Sequence, residues 1–304
     1  MEILLNSLAA TAIVTTPILL ASMGGLINRQ GGIVNIGLEA KMLAGAFVAV
    51  LVAWQTGNLW LAVISAEAAG ALVGLLFSVV ITRLGANEII AGLGLNVLVV
   101  GLIGYLLPVV FDVRGTLRPP DLPRLPRLEL PVVAEIPVLG PIISGKDPLT
   151  YLSWLSVPLV AWFLYRTVWG LRLRASGTDL EAARAAGLNA LGWRDASTVM
   201  AGAFAGLAGA QLSIGIVALF AVGMTAGRGF IALAAFYFGA ARPWPTAGAA
   251  LLFGFFTAVQ ARVQGLGVPV QLVQMIPYIV VVVVLSLIAI RRSRRREREA
   301  WAAT

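Results

Sequence analysis

Leu171 to Arg194 reads LRLRASGTDLEAARAAGLNALGWR. It is the longest polar interruption in the second half of an otherwise apolar chain. Arg172, Arg174, Arg184 and Arg194 stud it, and Arg166 sits just before it. Membrane proteins retain Lys and Arg on the cytoplasmic side during insertion, so the stretch reads as a cytoplasmic loop. Within it, Asp179 to Ala186 is a short helix by propensity. Ser176, Thr178 and Asp179 offer N-cap oxygens, acidic residues fill the first turn, and Gly187 is placed to stop it. A cytoplasmic loop that folds its own helix is a part for another protein to dock against.

The composition says what kind of chain owns that loop. Its 304 residues are 59% hydrophobic and only 12% charged, against roughly a quarter charged in soluble domains. The expected class is therefore an all-α, polytopic membrane protein. No cysteine is present, which excludes disulfides and thiolate metal sites. No histidine is present either, which removes the commonest metal ligand, general base and pH switch. The formal charge of +8 does not point to nucleic acid. Six arginines crowd into Arg291 to Arg298, where they face anionic lipid on the cytoplasmic side.

Apolar runs outline the spans. Ile3–Ile27 is too long for a signal-peptide core and lacks a basic leader, so it reads as a retained helix. Ile33–Trp54, Leu59–Thr82 and Asn87–Val110 follow. Phe111–Pro148 then holds eight prolines, and its five basic and five acidic residues cancel. Residues 111–148 read as an extracytoplasmic loop or cap. Leu149–Trp169 runs inward to the cytoplasmic loop of residues 171–194, and Ala196–Phe220 returns. Phe230–Ala241 is only about 18 Å long as a helix; it crosses if residues 221–229 help, and is re-entrant otherwise. Arg242-Pro243-Trp244-Pro245 reads as a tight inner turn. Thr246–Val263 goes out and Val270–Ile290 comes back to a basic cytoplasmic tail, 291–304. The expectation is one membrane domain over 1–304, with nine crossings (eight to ten, according to the weak segment), N-terminus outside and C-terminus in the cytoplasm.

Enzyme signatures are missing. Gly145-Lys146-Asp147 lacks the spacing of a Walker A loop, and there is no GxSxG or HExxH pattern. If ATP drives this protein, another chain binds it, and no cofactor or metal site is expected here.

Four local patterns remain. Glu181-Ala182-Ala183 is followed by Gly187. Gly31 to Ala40 reads GGIVNIGLEA, with Asn35 and Glu39 four apart, a spacing that shares a helix face. Glu88, Gly92 and Asn96 form a stripe just after Asn87. Gly227-Arg228-Gly229-Phe230-Ile231-Ala232 precedes Phe238-Gly239. Ionisable groups at membrane depth usually face a bundle interior or a water path. The plain alternatives are packing hydrogen bonds between helices and, for Glu88, solvation at the interface.

In this order, the four patterns resemble the permease subunits of nucleoside and simple-sugar ABC importers, which are related to branched-chain amino-acid permeases. The NIGLE form looks most like the nucleoside branch. The resemblance covers about Gly24 to Tyr278. It implies that Asp179, Glu181, Ala182, Ala183, Arg184, Gly187 and Asn189 form the coupling element for an ATPase. It also implies that Asn35, Glu39, Asn87, Glu88, Asn96 and Phe230 border the substrate path. The partners it implies are a second, related permease, ATP-binding subunits, an extracytoplasmic substrate-binding protein and membrane lipid. The cargo would be a nucleoside, or alternatively a simple sugar. Ala40-Lys41 departs from the family, which more often has Gly-Gln. A lysine in a span needs a partner, and Glu39, Glu67 and Glu88 are the acidic candidates. A secondary transporter or channel using those four ionisable residues as a relay is the rival from another class; it has no use for a coupling helix.

Overall fold

The computed structural model describes residues 2–129, 131, 140–263 and the single positions 275, 279, 283 and 286. The expected last span and the basic tail lie outside the described residues. Six helices among the described residues are long and apolar enough to cross a membrane. The chain is a multi-pass, all-α membrane protein.

Helix α1 (Glu2–Gln30) is the centre post, with α2 (Leu38–Thr56), α3 (Leu59–Thr82) and α4 (Glu88–Phe111) to one side. After strand β1 (Thr116–Leu117) come a short α5 (Gly140–Ile143), α6 (Pro148–Arg166), α7 (Val168–Thr178) and α8 (Leu180–Ala185). Helix α9 (Ala190–Ala210) runs into a π-helical segment, Gln211–Val217. Strand β2 (Phe220–Ala221), α10 (Arg228–Phe238) and α11 (Pro243–Val263) complete the order. Helix α1 packs against α6, α9, α10 and α11. By contrast, α3 and α4 leave Leu72, Ile90 and Val97 on the surface. Such faces suit lipid or a second apolar subunit.

Lipid tails are as apolar as leucine, so helix association here depends on close packing. The sequence meets that need with glycine where α9 meets α2 and α3. A Cβ on Gly206 would run into the carbonyl of Ala66, and one on Gly70 into the carbonyl of Gly202. The three backbones are therefore in near-direct contact. At one end Asp195 fixes the register. It takes hydrogen bonds from Ser78 and Thr82 at 2.6 and 2.7 Å and pairs with Arg83 at 2.8 Å.

Several boundaries differ from the hydropathy reading. Helix α2 starts at Leu38 rather than at Ile33, because glycines at 31, 32 and 37 favour irregular backbone over helix. The fifth span ends at Arg166. Extended Thr167 breaks the chain, and its hydroxyl caps a separate α7 by accepting from the Gly170 N–H at 3.0 Å. The next span starts earlier, at Ala190, where Asn189 caps it. Pro243-Trp244-Pro245 is the first turn of α11 instead of a loop, a position where a missing N–H costs nothing.

The Pro-rich segment turns back onto the bundle mouth. Thr116 and Leu117 pair with Ala221 and Phe220, and the Leu125 N–H donates to the Ile214 carbonyl at 3.2 Å. From β2 the chain runs toward the opposite end, where Gln30 donates to the carbonyl of Ala241 at 2.7 Å. Only the second part of that run is helix. The weak seventh segment is thus a broken element with its helix confined to residues 228–238.

The packing makes a test. Gly206→Leu is expected to destabilise the purified protein by about 1–3 kcal/mol or more by overpacking, read as a lowered unfolding temperature in detergent. Gly94→Leu, where nothing lies within 4 Å of the added Cβ, should leave it unchanged.

Candidate functional site

The irregular stretch 31–37 is partly to fully buried, so its backbone groups need partners. The carbonyls of α1 hold the N–H groups of Gly31, Gly32 and Ile33, and the α4 stripe takes over from Val34. Glu88 accepts the Val34 N–H at 2.8 Å. Gly92 packs against Ile36 and Gly37 at a distance that leaves little room for a side chain. Asn96 accepts from the Ala40 N–H at 3.0 Å and donates to the Ile36 carbonyl at 3.2 Å. The four-residue spacing of these residues is thus the spacing of a clamp from Val34, in the unwound chain, to Ala40, in the first turn of α2.

Glu39 faces the other way. Its two carboxylate oxygens accept the N–H groups of Gly227 and Gly229, at 2.8 and 2.7 Å. These are orphan donors at the start of α10, where an acid is favoured by the helix dipole. The glycines are required. Gly227 has φ +75, and a Cβ on Gly229 would meet the Glu39 backbone at 2.6 Å. One side chain therefore joins two discontinuous segments, the start of α2 and the start of α10. Phe230 follows in the first turn of α10, 40% exposed.

Asn35 and Glu39 do not share a helix face, since Asn35 precedes α2. The Asn35 Oδ1 accepts from the fully buried Lys41 ammonium at 2.6 Å, and Lys41 lies 4.2 Å from the centre of the Phe77 ring. Lys41 thus meets an amide and a ring face, while Glu39 and Glu88 are engaged with backbone. The Asn35 amide nitrogen is buried with no hydrogen-bond partner among the described residues. Asn87 is not part of this group. It sits at the surface and caps α4 through the N–H groups of Ile89 and Ile90.

A second polar group lies at the opposite end and was not foreseen. Asp147 caps α6, accepting from the Thr150 N–H and hydroxyl, and it accepts from Gln211 at 2.9 Å. Thr16 of α1 completes the group through Thr150 at 3.1 Å. The only signal in the sequence was Asp147-Pro148, a helix-start dipeptide. Beside it Lys146, Arg124 and Arg127 line a cavity of about 360 Å³. Burial, with Arg127 adding to it, pushes the Lys146 ammonium below its ordinary range, and Asp147 pulls it back.

The loop of residues 171–194 builds the expected helix. Asp179 Oδ1 accepts the N–H groups of Glu181 and Ala182, both at 3.0 Å. Ala183 faces the protein, while Ala182 and Ala186 face outward. Gly187 adopts φ +78 with open space where a Cβ would stand. Asn189 caps α9 through the Gly192 N–H at 3.1 Å. Glu181 pairs within its own helix, with Arg184 at 2.9 Å. Behind α8, Gly177 touches the backbone of Gln30 and Gly31, and Arg194 reaches the carbonyl of Ser176.

Interrupted segments pinned by polar side chains, in a bundle of apolar helices with a short exposed helix at one end, define a multi-pass membrane protein. The chain belongs to the family described as branched-chain amino acid transport system, permease component, which matches residues 7–285. It is 34% identical to the nucleoside ABC transporter permease protein NupC of Lactococcus lactis over 88% of this chain and 87% of that one. It is 33% identical to the guanosine ABC transporter permease protein NupQ of Bacillus subtilis, covering 84% and 81%. It is 35% identical to TsgC13 of Haloferax volcanii, an ABC transporter permease provisionally named for glucose, covering 85% and 78%. No solved structure gives a significant match.

Glu39→Gln replaces one accepting oxygen by a donor, so one N–H of Gly227 or Gly229 loses its partner. Loss of a buried hydrogen bond of this kind costs about 1–3 kcal/mol. Hydrogen exchange of the first α10 amides should accelerate about ten-fold, with transport reduced and the complex still assembled. Unchanged exchange and unchanged transport would remove Glu39 from the site.

Proposed function

We propose that this chain is the permease subunit of a nucleoside ABC importer, which translocates substrate and is coupled to ATP hydrolysis on a separate subunit. The observation that supports the reading is the close approach of Gly177, in the α7 helix that leads into α8, to the backbone of Gly31 and Gly32. It links a surface helix of the right form for an ATPase groove to the broken helices at the bundle centre. The nucleoside and guanosine relatives support the cargo. The relative named for glucose keeps a simple sugar as the second reading.

The working assembly has a second, related permease, ATP-binding subunits at the 171–194 loop, and a substrate-binding protein at the Pro-rich end. That orientation sets the N-terminus outside and the C-terminus in the cytoplasm. The loaded binding protein docks, ATP closes the ATPase dimer, and α8 carries the motion into the spans. Asn35, Glu39, Glu88, Asn96 and Phe230 border the moving region, and substrate passes between the two permeases.

Two measurements test this. With no cysteine in the chain, Ser144→Cys should be labelled by an impermeant thiol reagent from outside, and Thr178→Cys only from the cytoplasmic side. Labelling of both from one side would overturn the orientation. In reconstituted vesicles, Gly187→Leu should abolish the stimulation of ATP hydrolysis by loaded binding protein. The permease itself has room for the side chain and bears only a left-handed backbone penalty of about 1–2 kcal/mol. Glu181→Ala removes an exposed pair worth at most about 1 kcal/mol and should be mild. Normal stimulation in Gly187→Leu would mean that α8 is not the coupling element.

A further inference from the structure

Beside α8 the structure opens a cavity of about 390 Å³. Three chain segments meet there. Arg29 and Gln30 end α1, Gly177 and Thr178 end α7 just before the cap of α8, and Ala240 and Ala241 follow α10. The Arg29 guanidinium lies over the ring of Tyr237, 5.9 Å from its centre. A ring face steadies a guanidinium without consuming its N–H donors. Arg29 is exposed and pairs with no carboxylate among the described residues. The wall beside it is stiff. Gln30 donates to the carbonyl of Ala241 at 2.7 Å, and Ala240 and Ala241 have φ of +50 and +52. Left-handed backbone is costly for alanine and persists only where its surroundings enforce it. The cavity is thus built on a firm joint between the end of α1 and the end of α10.

We propose that this cavity receives an acidic side chain of the ATP-binding subunit, whose carboxylate pairs with Arg29 in a second contact beside α8. The proposal rests on the coupling reading above and extends it from one helix to a two-point surface. Position supports it. Thr178 lines the cavity and the next residue, Asp179, caps α8, so a subunit seated on α8 reaches the cavity on the same face. Charge supports it as well. A planar guanidinium matches a carboxylate through two parallel hydrogen bonds, and arginine is among the residues that dominate interface energetics. A lipid phosphate has the same acceptor chemistry. However, α1 packs against α6, α9, α10 and α11 and is the most buried of the described spans, so its end opens within the bundle rather than at the lipid boundary. The second contact has a mechanical consequence. Through Gly177, α8 reaches only the backbone at Gln30 to Gly32. A carboxylate on Arg29 pulls directly on α1 and, through Gln30, on the end of α10, whose start is held by Glu39.

The test uses the assembled complex with its ATP-binding subunits. The chain has no cysteine, so benzophenone maleimide can be attached at Ala182→Cys on α8 and, in a separate variant, at Ala240→Cys in the cavity. Illumination should crosslink both to the ATP-binding subunit. Crosslinking from Ala182→Cys but not from Ala240→Cys overturns the second contact and leaves α8 as the coupling element. Crosslinking from neither removes the coupling reading and this contact with it. Charge is read separately, as the concentration of ATP-binding subunit that half-saturates the permeases in nanodiscs. Arg29→Gln and Arg29→Glu should raise it about ten-fold or more, and Arg29→Lys should raise it less. Exchange of an acid for lysine in the crosslinked segment should restore binding to Arg29→Glu. If Arg29→Glu does not insert, Arg29→Gln decides the matter. Unchanged affinity in Arg29→Gln overturns the pairing. If that variant instead loses a dependence of ATP hydrolysis on phosphatidylglycerol, with affinity unchanged, the cavity holds a lipid phosphate and the assignment is overturned.

Discussion

Glu39 is the side chain on which the centre of this permease depends. A hydrogen bond to a charged group contributes about 1.5–3 kcal/mol, and Glu39 makes two, both to backbone N–H groups at the start of α10. In a membrane those donors have no water to fall back on. The carboxylate needs them equally, because a bare charge at that depth is costly. Each group therefore fixes the other. The fixed pair allows two spans to remain unwound in the middle of the bundle, instead of closing into plain helices that could only pack.

The same logic orders the surrounding residues. Glu88 and Asn96 satisfy the backbone that Gly31, Gly32 and Gly37 leave irregular. Lys41, which lies fully buried, has its charge turned toward the Asn35 carbonyl oxygen and the negative face of the Phe77 ring. Around this polar centre, α2, α3 and α9 approach until glycine faces backbone. A polar interior that must not open and a glycine interface that admits no methyl group are one constraint expressed twice. Both demand that the helices hold a single register, and Asp195 sets it at one end.

Much of this was legible in the chain. The spans before the Pro-rich loop were plain from hydropathy, because helices that cross a membrane are apolar whether they face lipid, as α3 and α4 do, or neighbouring helices, as α1 does. The short helix of the 171–194 loop was plain from Asp179 and Gly187, because caps are local chemistry. The stripe of Glu88, Gly92 and Asn96 was plain from its spacing. Its target was not, since helical periodicity carried through Ile33–Gly37 suggests a helix there. Asn35 and Glu39 were set on one face for the same reason. The partner of Lys41 was missed because charge pairing suggested carboxylates, whereas the nearest carboxylates are consumed by backbone. Asp147, Gln211 and Thr16 are brought together from three distant helices, and no spacing within one segment announces such a meeting.

The two regions also form one continuous body. Gly177, in α7, lies against Gln30 and Gly31 with no room for a methyl group between the backbones. The Ile33 N–H is held by the Asn28 carbonyl, and Asn28 itself donates to Ser197 and Thr198 at the start of α9. From Gly32 only seven residues lead to Glu39, and Glu39 holds α10. Close-packed interiors are poorly compressible, so a push on α8 has no soft layer in which to dissipate before it reaches the unwound segment. The first element able to yield is that segment, because beyond Ile33 its backbone is held by two side chains, Glu88 and Asn96, rather than by a helical ladder. Placing the discontinuity there puts the least regular part of the fold directly behind the α7–α8 hairpin.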